Sequence, residues 1–91
     1  MMKYFVYFLY SKQKDRYYIG QTYDLEIRKL RHLIGTTKFT KQASDWELVY
    51  KEDYGTRAEA VRRERLIKSQ KSRKYLEKLI FIKRALREPG G

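Results

Sequence analysis

The sequence predicts a small α+β domain of order β-β-α-β-α-α, a three-stranded antiparallel sheet flanked by helices, and three observations predict it. Residues 3–10 form a nearly unbroken apolar and aromatic run of strand-forming types. A capping box, Thr56-Arg57-Ala58-Glu59, opens a long helical pattern that fills the C-terminal third. The strand signals come first and the helical signals mostly after them, which favours helices packed beside an antiparallel sheet over an alternating parallel fold. With 91 residues the chain is read as a single domain over residues 1–87, with a flexible end at 88–91 built from Glu, Pro and two Gly.

The elements follow in order. The first strand, residues 3–10, is apolar on both faces and should be central in the sheet. A polar turn over residues 11–15 returns the chain into a second strand over residues 16–21, giving a β-hairpin closed at Gly20, where the backbone is expected to need an unusual conformation. Asp24 caps a helix to about residue 34, with Ile27, Leu30 and Ile34 on one face and Gly35 just past its end. Residues 36–44 read as a basic loop. The third strand spans residues 46–50, with Trp46, Leu48 and Tyr50 alternating against Glu47 and Lys51. A helix runs from the capping box to about Ser69 with Ala60, Glu64 and Ile67 on one face. Ser72 caps the last helix, whose stripe is Tyr75, Leu79, Ile82 and Leu86.

Composition excludes several classes. There is no cysteine, so disulfides and thiolate metal sites are absent, and His32 is the one histidine, so a multi-histidine zinc site is absent too. A bound metal would sit on oxygen, which suits Mg²⁺ or Mn²⁺. The apolar start is far shorter than the roughly 20 residues needed to span a bilayer and lacks a small-residue cleavage site, so a cytoplasmic protein without a membrane partner is expected. The formal net charge is +11, and it is unevenly spread: residues 57–87 hold 12 Lys/Arg against 3 Asp/Glu. That field attracts a polyanion, with nucleic acid the first candidate and a merely solvated basic face the plain alternative. Lys38, Lys41, Arg63, Lys68, Lys71, Arg73 and Lys74 are the candidate nucleic-acid contacts.

Five residues stand out as chemistry. Tyr7 and Tyr18 lie on the two strands of the hairpin and should be neighbours across it. Arg28 and His32 are four apart and share a helix face. Glu64 occupies an apolar stripe, where a carboxylate is costly unless it is paired or binds a metal. Each has a plain structural reading: sheet tyrosines, an Arg28–Glu64 ion pair, a capping histidine. The functional reading rests on the set, in this order and spacing.

Val6-Tyr7, ten intervening residues, Tyr18-Ile19-Gly20, Arg28 eight residues later with His32 after it, and Glu64 within Ala60-Val61-Arg62-Arg63-Glu64 together resemble the GIY-YIG nuclease family. The resemblance covers roughly residues 3–80. Phe39-Thr40-Lys41 and the segment Trp46-Glu47-Leu48-Val49-Tyr50 make the chain most like the small standalone members, which are related to the N-terminal nuclease domain of an excision-repair endonuclease. There are departures. Phe5 and Val6 stand in place of the first two letters of the GIY triplet, Gln21 follows Gly20 where some nucleases carry lysine, and the chain has no asparagine, which several members use late in the domain. The resemblance implies hydrolysis of DNA phosphodiester bonds with one divalent metal held by Glu64. It implies Tyr7 as general base and Tyr18 as the group that positions water or phosphate, with those roles exchangeable. Arg28 would hold a phosphate oxygen, and His32 a phosphate or the departing proton. DNA is the expected partner, with RNA the alternative of like charge, and specificity would come from a partner protein or a homodimer. The rival expectation is a non-catalytic nucleic-acid-binding module that keeps this fold.

Overall fold

The computed structural model describes residues 3–23 and 40–87. Strands β1 (Tyr4–Ser11), β2 (Arg16–Thr22) and β3 (Glu47–Tyr54) form one sheet, and helices α1 (Arg57–Ser69) and α2 (Arg73–Arg87) follow. The expected helix after Asp24 lies outside the described residues, as does the end at 88–91. No helix among the described residues is long and apolar enough to cross a membrane.

The strand order is β2-β1-β3, both pairings antiparallel, so β1 is central as its two apolar faces require. Alternation along β1 sends Val6 and Phe8 to one side and Tyr7 and Leu9 to the other. On the first side Val6 and Phe8 pack with Tyr50 and with Ala60, Ile67, Leu76 and Ile80 of the two helices. On the second, Tyr7 and Leu9 pack with Trp46, joined by Tyr18 and Ala43. The polar segment before β3, which contains a single 3₁₀ turn at Thr40–Gln42, brings Ala43 and Trp46 to that second side.

The third strand corrects two expectations. It runs on to Tyr54, and its alternation is broken. Phe8 pairs with Tyr50 but Leu9 pairs with Leu48, so Val49 is an extra residue, a β-bulge. The bulge flips the faces: Trp46 joins the Tyr7 side while Tyr50 joins the helix side, stacked on Phe8 at 4.5 Å between ring centroids. Leu48 is left largely exposed. The charged Lys51-Glu52-Asp53 stretch disguises the rest of the strand, yet charged residues suit an edge. Asp53 faces Lys3 at 3.8 Å, and the inward Glu52 is satisfied by the helix above it.

That satisfaction corrects a third reading. Arg63 Nε and Nη2 donate to the two Glu52 carboxylate oxygens at 2.9 and 3.1 Å, and the Tyr50 and Tyr54 hydroxyls donate to the same carboxylate. Arg63 therefore clamps α1 to β3 and is not displayed for nucleic acid. Arg73 is likewise engaged. It bonds the Asp15 carboxylate at 2.6 Å, the Asp15 carbonyl at 3.0 Å and Glu77 at 3.3 Å. These bonds tie α2 to the hairpin turn, where Asp15 has a positive φ of 52°. On the other side of that turn Asp45 accepts from the Ser11 hydroxyl at 2.6 Å and the Gln13 amide at 3.0 Å.

Both helix caps are as expected. Thr56 Oγ1 accepts from the Glu59 amide at 3.2 Å, and Ser72 Oγ from the Tyr75 amide at 3.2 Å. The stripe of α2 is corrected. Leu76 and Ile80 are buried, Tyr75 and Leu79 partly so, while Ile82 and Leu86 are exposed. Residues 79–82 are apolar all round the helix, so periodicity alone does not fix the inward face there.

The Arg63–Glu52 clamp generates a prediction. Arg63→Ala leaves a largely buried carboxylate without its cation and should cost about 2–3 kcal/mol. Burial pushes the Glu52 carboxyl up, but Arg63 and the two tyrosine hydroxyls outweigh it and hold its pKa below the ordinary value. Arg73 and Tyr10 likewise hold Asp15 down, at about 2. Folded pKa values below the unfolded ones mean that this stabilisation is full above about pH 5 and is lost as pH falls toward about 2. Urea melts across that range should show a falling midpoint in the wild type and a flatter acid limb in Arg63→Ala. An unchanged midpoint at neutral pH would show that the clamp contributes nothing.

Candidate active site

The hairpin register sets the site. Tyr7 on the central strand faces Gly20 on β2, and Tyr18, two residues away, faces Leu9. Both tyrosines lie on the Trp46 side of the sheet, with ring centroids 6.3 Å apart. Gly20 is buried inside β2 rather than at the close of the hairpin, and its backbone is not in the left-handed region. Its smallness serves a close approach instead. A Cβ on Gly20 would lie 2.6 Å from the Tyr7 hydroxyl oxygen, 2.8 Å from the adjoining ring carbon and 3.1 Å from the Tyr18 ring. The bare glycine is the slot in which the Tyr7 hydroxyl rests.

Glu64 comes to the same place from α1. It stands between Ala60 and Ile67 on the stripe that faces the sheet, with its side chain 18% exposed, and it forms an i,i+4 ion pair with Lys68 at 3.5 Å. Its charge bears on both tyrosines. Burial, then Tyr18, then Glu64 push the Tyr7 hydroxyl far above its ordinary range, and burial and Glu64 push Tyr18 up. Both phenols are therefore neutral near pH 7, and a cation between them and Glu64 would reverse the sign of the local field.

The structure thus brings together Tyr7, Tyr18 and Glu64. Arg28, His32 and Lys38 lie outside the described residues. The pairing of Glu64 with Lys68 was not anticipated from the sequence, although the i,i+4 spacing carried the signal. Among the basic candidates, Lys41, Lys71 and Lys74 are exposed and Lys68 is half exposed. Three arginines were missed. Arg57, Arg62 and Arg65 lie around a shallow surface depression with Ala58 and Val61, and carry no ion pair among the described residues. The 58, 61, 62, 65 spacing marks that face of α1 in the sequence.

The oxygen chemistry fits a hard divalent cation held by one carboxylate. Glu64 is the acidic group at the site, no cluster of three or more His, Asp or Glu exists among the described residues, and Mg²⁺ ordinarily keeps several waters beside one or two carboxylates. Residues 3–76 match the GIY-YIG catalytic domain.

The chain belongs to the GIY-YIG family.

A UPF0213 protein of Bacillus halodurans, solved in solution by NMR, is similar in structure, with a TM-score of 0.58 and 31% identity, covering 90% of this chain and 86% of that one. No curated protein matches. GIY-YIG domains are nuclease domains and are generally dependent on a divalent metal.

The Gly20 slot is directly testable. Gly20→Ala forces a methyl against the fully buried Tyr7 ring and should cost about 1–3 kcal/mol, the usual scale of overpacking. Denaturant melts read the loss, and the near-ultraviolet tyrosine signal should change with it. A Gly20→Ala variant as stable as wild type would show that Tyr7 is not held where the structure places it.

Proposed function

We propose that the protein is a divalent-metal-dependent DNA endonuclease. The observation that carries this reading is the meeting of Tyr7, Tyr18 and Glu64 at the Gly20 slot, two neutral phenols and one carboxylate on rigid elements. Glu64 would hold Mg²⁺ or Mn²⁺, releasing Lys68. The bound ion supplies positive charge that offsets the charge developing on the scissile phosphate. Tyr7 accepts the proton of the attacking water at its hydroxyl oxygen, for which it must first be ionised, and Tyr18 orients the water or phosphate; the two roles are exchangeable. The resemblance assigns Arg28 to a phosphate oxygen and His32 to phosphate or proton. Lys41, Lys71 and Lys74, with Arg57, Arg62 and Arg65, track the backbone of the nucleic acid. A partner protein or a second copy would add specificity that one small site lacks.

Glu64→Gln and Tyr7→Phe test the reading together. Glu64→Gln keeps the shape and removes the charge, so nicking of plasmid and branched DNA with Mg²⁺ or Mn²⁺ should vanish. Binding in EDTA should persist. Tyr7→Phe removes one hydroxyl and should slow nicking about 10²-fold or more, the scale of a lost general base. Both variants should fold, which melts verify. Wild-type protein that binds DNA and nicks none of these substrates with either metal is a binding module, and the endonuclease reading falls.

A further inference from the structure

A cleft of about 430 Å³ opens between the edge strand β2 and the junction of α1 with α2. That size lies within the range of small-ligand pockets, roughly 300–1,000 Å³. Its floor is apolar, made by Ile19, Ile67, Leu76 and an edge of Tyr17, and its rim is cationic, with Arg16, Lys68 and Lys71. Asp15 and Arg73 also line it, but they are bonded to each other and largely cancel. An apolar floor under a positive rim suits a flat, weakly polar group attached to an anion.

Two further observations bear on what enters. First, the cleft is continuous with the candidate active site. Lys68, on its rim, is the residue that pairs with Glu64, one helical turn and about 6 Å along α1. A strand whose phosphate lies at Tyr7, Tyr18 and Glu64 therefore has its neighbouring nucleotide over this cleft. Second, Lys71 has a φ of 48° in the residue after the α1 cap Gln70. Glycine is the residue that takes this conformation without strain. A lysine held there against its backbone preference aims a charge where glycine would leave none.

We propose that this cleft receives one unstacked nucleotide of the substrate strand, its base on Ile19, Ile67 and Leu76 and its phosphate on Lys68 and Lys71. The proposal rests on the endonuclease reading and deepens it, because a base can enter the cleft only from a strand that is single, frayed or branched. A closed duplex keeps its bases stacked and offers only its backbone. The substrate class is then DNA with unpaired nucleotides beside the cleavage point.

The test is made in EDTA, so that binding and cleavage are read apart. Deoxyadenosine monophosphate should shift the methyl NMR signals of Ile19, Ile67 and Leu76, and inorganic phosphate at the same concentration should not. A short single-stranded oligonucleotide should bind more tightly than a duplex of the same sequence. Lys71→Gly relieves the backbone, so its melting temperature should equal or exceed wild type. It should nevertheless weaken single-strand binding about fivefold near 0.1 M salt, the scale of one lost phosphate contact. Methyls that stay still with the nucleotide, or that move equally with phosphate alone, overturn the proposal, as does a Lys71→Gly variant that binds like wild type. Nicking with Mg²⁺ beside motionless methyls would remove the cleft and keep the endonuclease. Shifted methyls without nicking would keep a nucleotide site and remove the reaction.

Discussion

The register that sets Tyr7 of the central strand opposite Gly20 is the constraint on which the candidate site depends. A central strand apolar on both faces must be covered on both, and Tyr7 is buried as part of that covering. Its hydroxyl would have no place in a packed layer if the facing residue carried a side chain. Glycine opens that place, and Tyr18, two residues before it, forms the adjoining wall. The same sheet pairing that holds the fold together thus brings two phenols side by side. A one-residue slip of β2 would turn Tyr18 to the opposite face and set a side chain against the Tyr7 hydroxyl.

The basic residues divide into two populations that sequence alone merges. Arg63 and Arg73 face carboxylates and hold helices to the sheet and the hairpin turn. Arginine suits such positions because its planar fork makes several fixed bonds at once. Arg57, Arg62 and Arg65 lie on an outward face of α1 and have no carboxylate partner among the described residues. The attraction of the C-terminal third for a polyanion therefore comes from fewer charges than the count suggests. Lys68 belongs to both populations, paired with Glu64 and set on the rim of the neighbouring cleft.

Much of the fold was legible because its signals are local. Residues 3–10 are apolar on both faces, and the strand is central. Thr56 and Glu59 stand at capping spacing, and the helix starts there. Glu64 reads as misplaced in an apolar stripe, and the structure leaves it mostly buried. What was not legible depends on contacts distant in sequence. The bulge at Val49 follows from how β3 fits beside β1, and no residue in the run Glu47–Tyr50 announces it. The inward face of α2 is ambiguous across Leu79-Ile80-Phe81-Ile82 until the sheet selects Ile80. Arg63 and Arg73 look like any exposed basic residues until Glu52 and Asp15, 11 and 58 positions away, are brought to them.

The central claim is that Glu64, beside Tyr7 and Tyr18, holds a divalent cation. Paramagnetic broadening by Mn²⁺ reads this without DNA or turnover. The account predicts that low Mn²⁺ selectively broadens the amide signals of Tyr7, Tyr18, Gly20 and Glu64, that Mg²⁺ competes the broadening away, and that Glu64→Gln abolishes it. Broadening centred elsewhere, or broadening at this site that survives Glu64→Gln, would contradict it.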